Sequence, residues 1–199
     1  MKIKMIYLAA GNSRRFGSNK LYHEIEGRPM FQYGLEALEK VLRRREETTL
    51  TVVTQYSEIC EYVLEKQRVW GGRISAVASP EAEKGISYSI RAGLSGDRAD
   101  YYLFCVADQP WISDETILHL IEKTTQEGYI GGFAQWNGVS GNPAIFSDRL
   151  FPELLALTGD TGGKKILRGR ENVCTVQVEN PIEIEDIDEI SMLPFDTKK

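Results

Sequence analysis

The stretch Tyr101-Tyr102-Leu103-Phe104-Cys105-Val106-Ala107 is the most continuous apolar run in the chain, and it leaves few architectures open. Seven residues without polar alternation cannot lie half in water, so the run predicts a central parallel strand covered on both faces. It breaks at Asp108-Gln109-Pro110, which puts a carboxylate at the carboxyl end of that strand, where open α/β sheets bind ligands. A plain turn after a strand would read the same way. Strand and helix signals alternate through most of the remaining chain, which predicts a three-layer α/β/α fold with a mostly parallel sheet.

The other elements follow from spacing. Met5 to Ala10 reads as a buried strand, and Pro29 opens a helix in which Phe31, Leu35, Leu38, Val41 and Leu42 share one face before Arg43, Arg44 and Arg45 close it. Thr49–Thr54 and Arg73–Ala78 read as strands, with a helix from Ser57 to Gln67 capped by Ser57 between them. Ser113 caps a helix to about Gln126, with Ile112 and Ile117 as a hydrophobic staple. Asn137-Gly138 between two apolar segments is a hairpin signal, so antiparallel strands depart from the parallel sheet there.

Chemistry concentrates after the first strand. Between Gly11 and Lys20 the chain packs two glycines, two hydroxyls, two arginines and a lysine into ten residues. Small residues at Ala9, Ala10 and Gly11 let backbone N–H groups approach an anion, and Arg15 and Lys20 supply full positive charge. Neither the P-loop nor the dinucleotide fingerprint fits: Gly11 and Gly17 are six apart, and Ser13 stands where the third position of a dinucleotide turn wants glycine. A second stretch, Gly85 to Leu94, is helix-like but rich in glycine and serine, as a ligand-facing helix start would be. Two glycines and two lysines around Gly163 form another anion-ready corner.

Composition narrows the function class. The 199 residues suit a single domain, 1–199, able to bury roughly 70% of its unfolded surface. With 24 Lys and Arg against 29 Asp and Glu, the net charge of −5 gives no global basic field for nucleic acid. Cys60, Cys105 and Cys174 match neither a disulfide framework nor a zinc spacing, and read as reduced thiols in a cytoplasmic protein. No segment is long and apolar enough for a signal peptide or a membrane span. Two histidines and the lack of a G-x-S-x-G elbow speak against a hydrolase.

Leu8, Ala9, Ala10, Gly11, Ser13, Arg15, Phe16, Gly17 and Lys20 match the pattern LAAG-x-S-x-R-[FM]-G-x-x-K. The chain thereby resembles the nucleotidyltransferases that act on the molybdenum cofactor, a family with a Rossmann-like nucleotidyltransferase fold. The resemblance implies that Leu8, Ala9, Ala10, Gly11, Ser13, Arg15 and Lys20 hold a nucleoside triphosphate, joined by Gly85 and Ser89 of a G-M-x-x-S element and by Ser79, where the family has Asn. It implies that Ala107-Asp108-Gln109-Pro110 is the A-D-x-P metal element, with Asp108 holding Mg²⁺ or Mn²⁺. Catalysis would rest on Arg15, Lys20 and Asp108.

For the second substrate, Gly141, Asn142 and Pro143 resemble a G-x-P-x-x-F element, and Asp160 and Lys164 fall in a G-D-x-G-A-R-x-L-L element with Gly163 for Ala and Lys164 for Arg. A turn followed by a strand explains the first of these equally well. Asp188 is a second metal candidate, with a solvated acidic tail as the alternative. In the family LAAG accompanies CTP and LAGG accompanies GTP, so Ala10 favours CTP. The implied acceptor is molybdopterin or the molybdenum cofactor, and the implied client is a molybdenum hydroxylase apoenzyme. Two readings stay open: the same chemistry with GTP or with a sugar or alcohol phosphate, and a non-catalytic nucleotide-binding maturation factor.

Overall fold

A computed structural model describes residues 1–11 and 19–189. Ser13 and Arg15 lie outside the described residues. β1 (Ile3–Ala9) is followed by a 3-10 turn at Lys20–Tyr22 and by a two-stranded ribbon, β2 (Glu24–Ile25) and β3 (Arg28–Pro29). Then come α1 (Phe31–Arg44), β4 (Thr48–Thr54), α2 (Ser57–Trp70), β5 (Ile74–Ala78), α3 (Ile86–Gly93), β6 (Tyr101–Val106) and α4 (Asp114–Gln126). The hairpin β7 (Gly131–Trp136) and β8 (Val139–Ser147), the short α5 (Phe151–Leu155) and α6 (Lys164–Leu167), and β9 (Val173–Gln177) complete the elements that build the site.

The main sheet has the order β5-β4-β1-β6-β8-β7-β9. Among the described strands β8 runs against both its neighbours, and the remaining pairings of this sheet are parallel. β6 is therefore parallel to β1 on one side and antiparallel to β8 on the other, so the expected parallel strand is parallel on one edge only. The cause is the Asn137-Gly138 turn. Both residues take positive φ, 47° and 84°, and return the chain alongside itself.

The unbroken apolar runs are explained by two cores. Ile3, Met5, Tyr7 and Ala9 of β1, with Leu103 and Cys105 of β6, meet Leu35, Leu38 and Leu42 of α1, Ile59 of α2 and Ile117 and Ile121 of α4 on one face. Ile6 of β1, with Tyr102 and Phe104 of β6, meets Ile90 of α3 and Leu154 of α5 on the other. Each fully buried leucine or isoleucine contributes about 2 kcal/mol of transfer free energy, so both faces of β1 and β6 are held by many such contacts.

Three local expectations are corrected. Pro29 does not open α1; it pairs with Glu24 in the ribbon, and the helix starts at Phe31. Ser57 is the first residue of α2 rather than its cap, and its hydroxyl donates to Glu58 Oε2 at 3.0 Å. That helix also runs to Trp70, because Gly71 at φ 57° ends it. Ser113 does cap α4, accepting from the Thr116 N–H at 3.1 Å. Among the described residues no helix is long and apolar enough to cross a membrane.

Candidate active site

β1, β4 and β6 finish level, with Ala9 beside Thr54 and Leu8 beside Val106. The chain leaves β1 for one flank of the sheet and returns to the other flank at β6, so the crevice outside these ends is the topological switch point. Gly11, Gln55 with Tyr56, and Asp108 follow the three strands. Gln55 Nε2 donates to the Ala10 carbonyl at 2.7 Å and the Tyr56 hydroxyl donates to the Gly11 carbonyl at 2.6 Å. The loop after β4 thus ties down the backbone at Ala10 and Gly11.

A cavity of about 480 Å³ opens here, and Leu8, Ala10, Gly11, Lys20, Gly85, Ser89, Asp108 and Asp160 are in its wall. Ala9 is not. Strand alternation turns its side chain into the core beneath α1, so Ala9 supports the loop from behind. Ser79 is also buried behind the wall, with its hydroxyl 3.3 Å from that of Ser89.

Lys20 is brought to the cavity by the 3-10 turn, in which the Leu21 N–H donates to Asn19 Oδ1 at 3.1 Å. Only 8% of Lys20 is exposed. Its ammonium lies 2.8 Å from Asp108 Oδ2 and 3.2 Å from Asp188 Oδ1. Burial works against the charge, but the Asp108 and Asp188 carboxylates outweigh it and hold the ammonium above the ordinary lysine pKa. Asp186 lies close by, and its carboxyl is raised by desolvation, then by the charges of Asp108 and Asp188.

The opposite wall is the start of α3. Gly85 has φ 126°, and a Cβ there would stand 2.6 Å from the Asp160 nitrogen and closer still to the Gly159 carbonyl carbon and oxygen. Ser87 N–H donates to the Gly159 carbonyl at 3.2 Å, and Asp160 Oδ1 accepts from Ile86 N–H at 3.4 Å. The chain itself therefore engages these two N–H groups of the helix start, while Gly85 and Ser89 remain in the cavity wall. Gly85→Ala is expected to lower stability by ~3 kcal/mol, from backbone strain plus overpacking, read as a fall in Tm. An unchanged Tm would mean that α3 and the Gly159-Asp160 turn do not touch in solution.

The expected acceptor residues divide. Asp160 borders the large cavity, whereas Asn142 and Lys164 border a smaller one of about 80 Å³ that shares Leu8, Ile86 and Val106 with it. Gly141 and Pro143 are buried in β8. A Cβ on Gly141 would come within 2.7 Å of Ile184 Cγ2, and neither Gly141 nor Pro143 is in the wall of either cavity. The Lys164 ammonium donates to the Ser140 carbonyl at 3.3 Å. Burial lowers its pKa, with Asp186 acting in the opposite direction. α6 is a single turn, too short to present a helix dipole, so the anion-ready corner reduces to Lys164 itself. Gly163 stands where the resemblance expects alanine because a Cβ would lie 2.8 Å from Phe146 Cζ.

The donor set fits a divalent ion of the magnesium type. Asp108 and Asp188 offer hard carboxylate oxygens, and a positive group, the Lys20 ammonium, already sits against both. Among the described residues no set of three or more His, Cys, Asp or Glu forms a complete ion cage. An ion that keeps waters and takes phosphate oxygens as further ligands needs only one or two carboxylates.

Comparison with known proteins places these features. Residues 5–174 match the family described as MobA-like NTP transferase domain. The chain is 27% identical over 190 residues to the purine catabolism protein PucB of Bacillus subtilis, covering 92% of this chain and 90% of that protein. It is 28% identical over 191 residues to a probable molybdenum cofactor guanylyltransferase of Pyrococcus horikoshii, covering 92% and 91%. The fold is shared with Rv0371c of Mycobacterium tuberculosis, at a TM-score of 0.73 and 23% identity over 96% of this chain and 95% of that one. The same protein has been solved in complex with manganese, at a TM-score of 0.65 and 22% identity over 89% of each chain.

Proposed function

This chain belongs to the MobA-like NTP transferase family and is a nucleotidyltransferase, and from that premise we propose that it moves CMP from CTP onto the phosphate of molybdopterin or its molybdenum-loaded form, releasing pyrophosphate. The observation that carries the reading is the Lys20–Asp108 contact of 2.8 Å at the edge of a cavity walled by the first loop and the start of α3. An oxygen of the acceptor phosphate attacks the α-phosphorus of the triphosphate, and the bond to the β-phosphate bridging oxygen breaks. The nucleophile is already an anion, so the protein supplies position and charge instead of a general base.

In this reading Lys20 faces the triphosphate oxygens, and Arg15, outside the described residues, is assigned the same role from its motif. Ala10 and Gly11 let the nucleotide approach the backbone, and Gly85 and Ser89 close the far side. Asp108, with Asp188, would hold Mg²⁺ or Mn²⁺, which when bound neutralises phosphate charge as pyrophosphate departs. The manganese complex of Rv0371c supports a divalent ion. Ala10 in the cavity wall supports CTP, while the guanylyltransferase name of the Pyrococcus relative makes GTP the competing nucleotide. Asn142 and Lys164 face the acceptor, and the product would pass to a molybdenum hydroxylase apoenzyme.

The deciding experiment is pyrophosphate release with CTP and GTP in turn, against molybdopterin, molybdenum cofactor, and sugar and alcohol phosphates. Release with CTP and molybdopterin is the expected result. Release only with another acceptor would reassign the substrate, and nucleotide binding without release under any condition would leave a maturation factor. Lys164→Ala is expected to raise the acceptor KM ~10-fold, the loss of one charge-assisted contact, and to leave the CTP KM unchanged. Because burial lowers the Lys164 pKa, its charge is lost at a lower pH than that of a surface lysine. The wild-type acceptor KM should therefore climb early on the alkaline side, and a Lys164→Ala profile that climbs identically would assign the effect elsewhere.

A further inference from the structure

Beyond the residues that face substrate, the turn after β6 carries one group with no role so far. Gln109 is 3% exposed, and its Nε2 donates twice, to the Ile184 carbonyl at 2.9 Å and to Asp186 Oδ1 at 2.7 Å. Next to it the Asp108 carbonyl accepts from the Ile187 N–H at 2.9 Å. The segment 183–188 is thus stitched to the strand end that bears Asp108. Glu183 fastens the near end of the segment, accepting from Ser113 N–H, Ser113 Oγ and Thr116 Oγ1 at the start of α4 at 3.1, 2.6 and 2.7 Å. Ile187 fastens the far end, 1% exposed in a small core with Ile25 and Met30. Asp186 lies between these anchors, within reach of the charges of Asp108 and Lys20, and Asp188 directly follows the second anchor, with its Oδ1 3.2 Å from the Lys20 ammonium.

Asp108 and Asp188 share the Lys20 ammonium and Asp186 feels the charge of both; carboxylates gathered in this way do not assemble on their own, since each negative charge repels the others. A single 3-10 turn, Pro181–Ile184, orders the start of the segment, and beyond it residues 186–188 belong to no helix or strand, so they need another donor to stay where the charges would drive them apart. We infer that Gln109 is a positioning residue: its side-chain amide holds the 183–188 segment as a strap and so sets Asp186 and Asp188 opposite Asp108. The inference rests on the proposed metal-dependent reading of the site. It assigns to the variable position of Ala107-Asp108-Gln109-Pro110 a function that the flanking residues do not share.

Both readouts of the test are independent of turnover and use the full chain without nucleotide. In Gln109→Ala, amide hydrogen exchange over 184–188 is expected to accelerate ~10-fold while α1 and α4 keep their protection. Mn²⁺ affinity, measured from the EPR signal of free Mn²⁺, is expected to weaken ~10-fold, the usual size for a group that orients a ligand. Gln109→Glu keeps the shape but removes the donor and faces Asp186 with a second carboxylate, so it should match or exceed the alanine variant. Combined with Asp188→Asn, Gln109→Ala should add little, because both act through one strap.

Unchanged exchange over 184–188, a loosened strap with unchanged Mn²⁺ affinity, wild-type exchange and Mn²⁺ affinity in the glutamate variant, or additive losses in the double variant would each overturn the assignment. So would a wild-type protein that fails to bind Mn²⁺ at millimolar concentration. Should Gln109→Ala lose its cooperative thermal transition, Gln109→Glu carries the same measurements. Failure to release pyrophosphate with any acceptor would defeat the transferase reading alone and leave these results standing.

Discussion

Asp108→Asn is expected to cut the rate of pyrophosphate release at saturating nucleotide ~100- to 1000-fold, the range seen when one preorganised electrostatic group is removed from a reacting phosphate or carbonyl. The substitution keeps the shape of the side chain and leaves the Asp108 carbonyl bonded to the Ile187 N–H, so the strap and the fold should persist. What goes is one negative charge, and with it the carboxylate that faces Lys20 at 2.8 Å. Mn²⁺ affinity should fall in parallel while Tm changes little. A normal rate in a folded variant would remove Asp108 from the site.

Lys20→Ala is expected to weaken binding of a non-hydrolysable CTP analogue ~10- to 100-fold by calorimetry, the value of a charge-assisted contact to phosphate. It also leaves the Asp108 and Asp188 carboxylates without the ammonium that now touches both. Repulsion between them then favours a divalent cation, so Mn²⁺ affinity in the absence of nucleotide should hold or rise. That opposite sign separates Lys20→Ala from Asp108→Asn. Unchanged nucleotide affinity would clear Lys20 of a phosphate contact.

What the sequence made legible was local in origin. The apolar run ending at Asp108, the Ser113 cap and the Asn137-Gly138 turn each depend on residues within a few positions of one another; the cap and the turn stand as expected, and the run is a buried strand that is parallel on its β1 edge and antiparallel on its β8 edge. Lys20 and Asp108 do meet, across 88 positions, because a motif and a strand end both sit at one sheet edge. Other features had no local sign. Tyr56 reaching Gly11, Gln109 reaching Asp186, and Gly159 filling the space beside Gly85 depend on partners 45, 77 and 74 positions away. Pro29 and Ser57 misled for a related reason. Each suits a helix start by intrinsic preference, but the ribbon claimed Pro29, and the chain entering α2 after β4 placed Ser57 inside the helix.

The reversal of β8 has an evolutionary consequence. On one side of the β6–β8 seam the sheet is built of strand–helix crossovers whose ends bear Gly11, Gln55 and Asp108. On the other, Asn142 borders the smaller cavity from the first half of β8, four residues after the Asn137-Gly138 turn. Under the proposed assignment of Asn142 and Lys164 to the acceptor, grafting a hairpin from one lineage to another would exchange the second reactant and spare the chemistry of the first. A scaffold divided in this way can diversify its products while its triphosphate grip stays under unbroken selection.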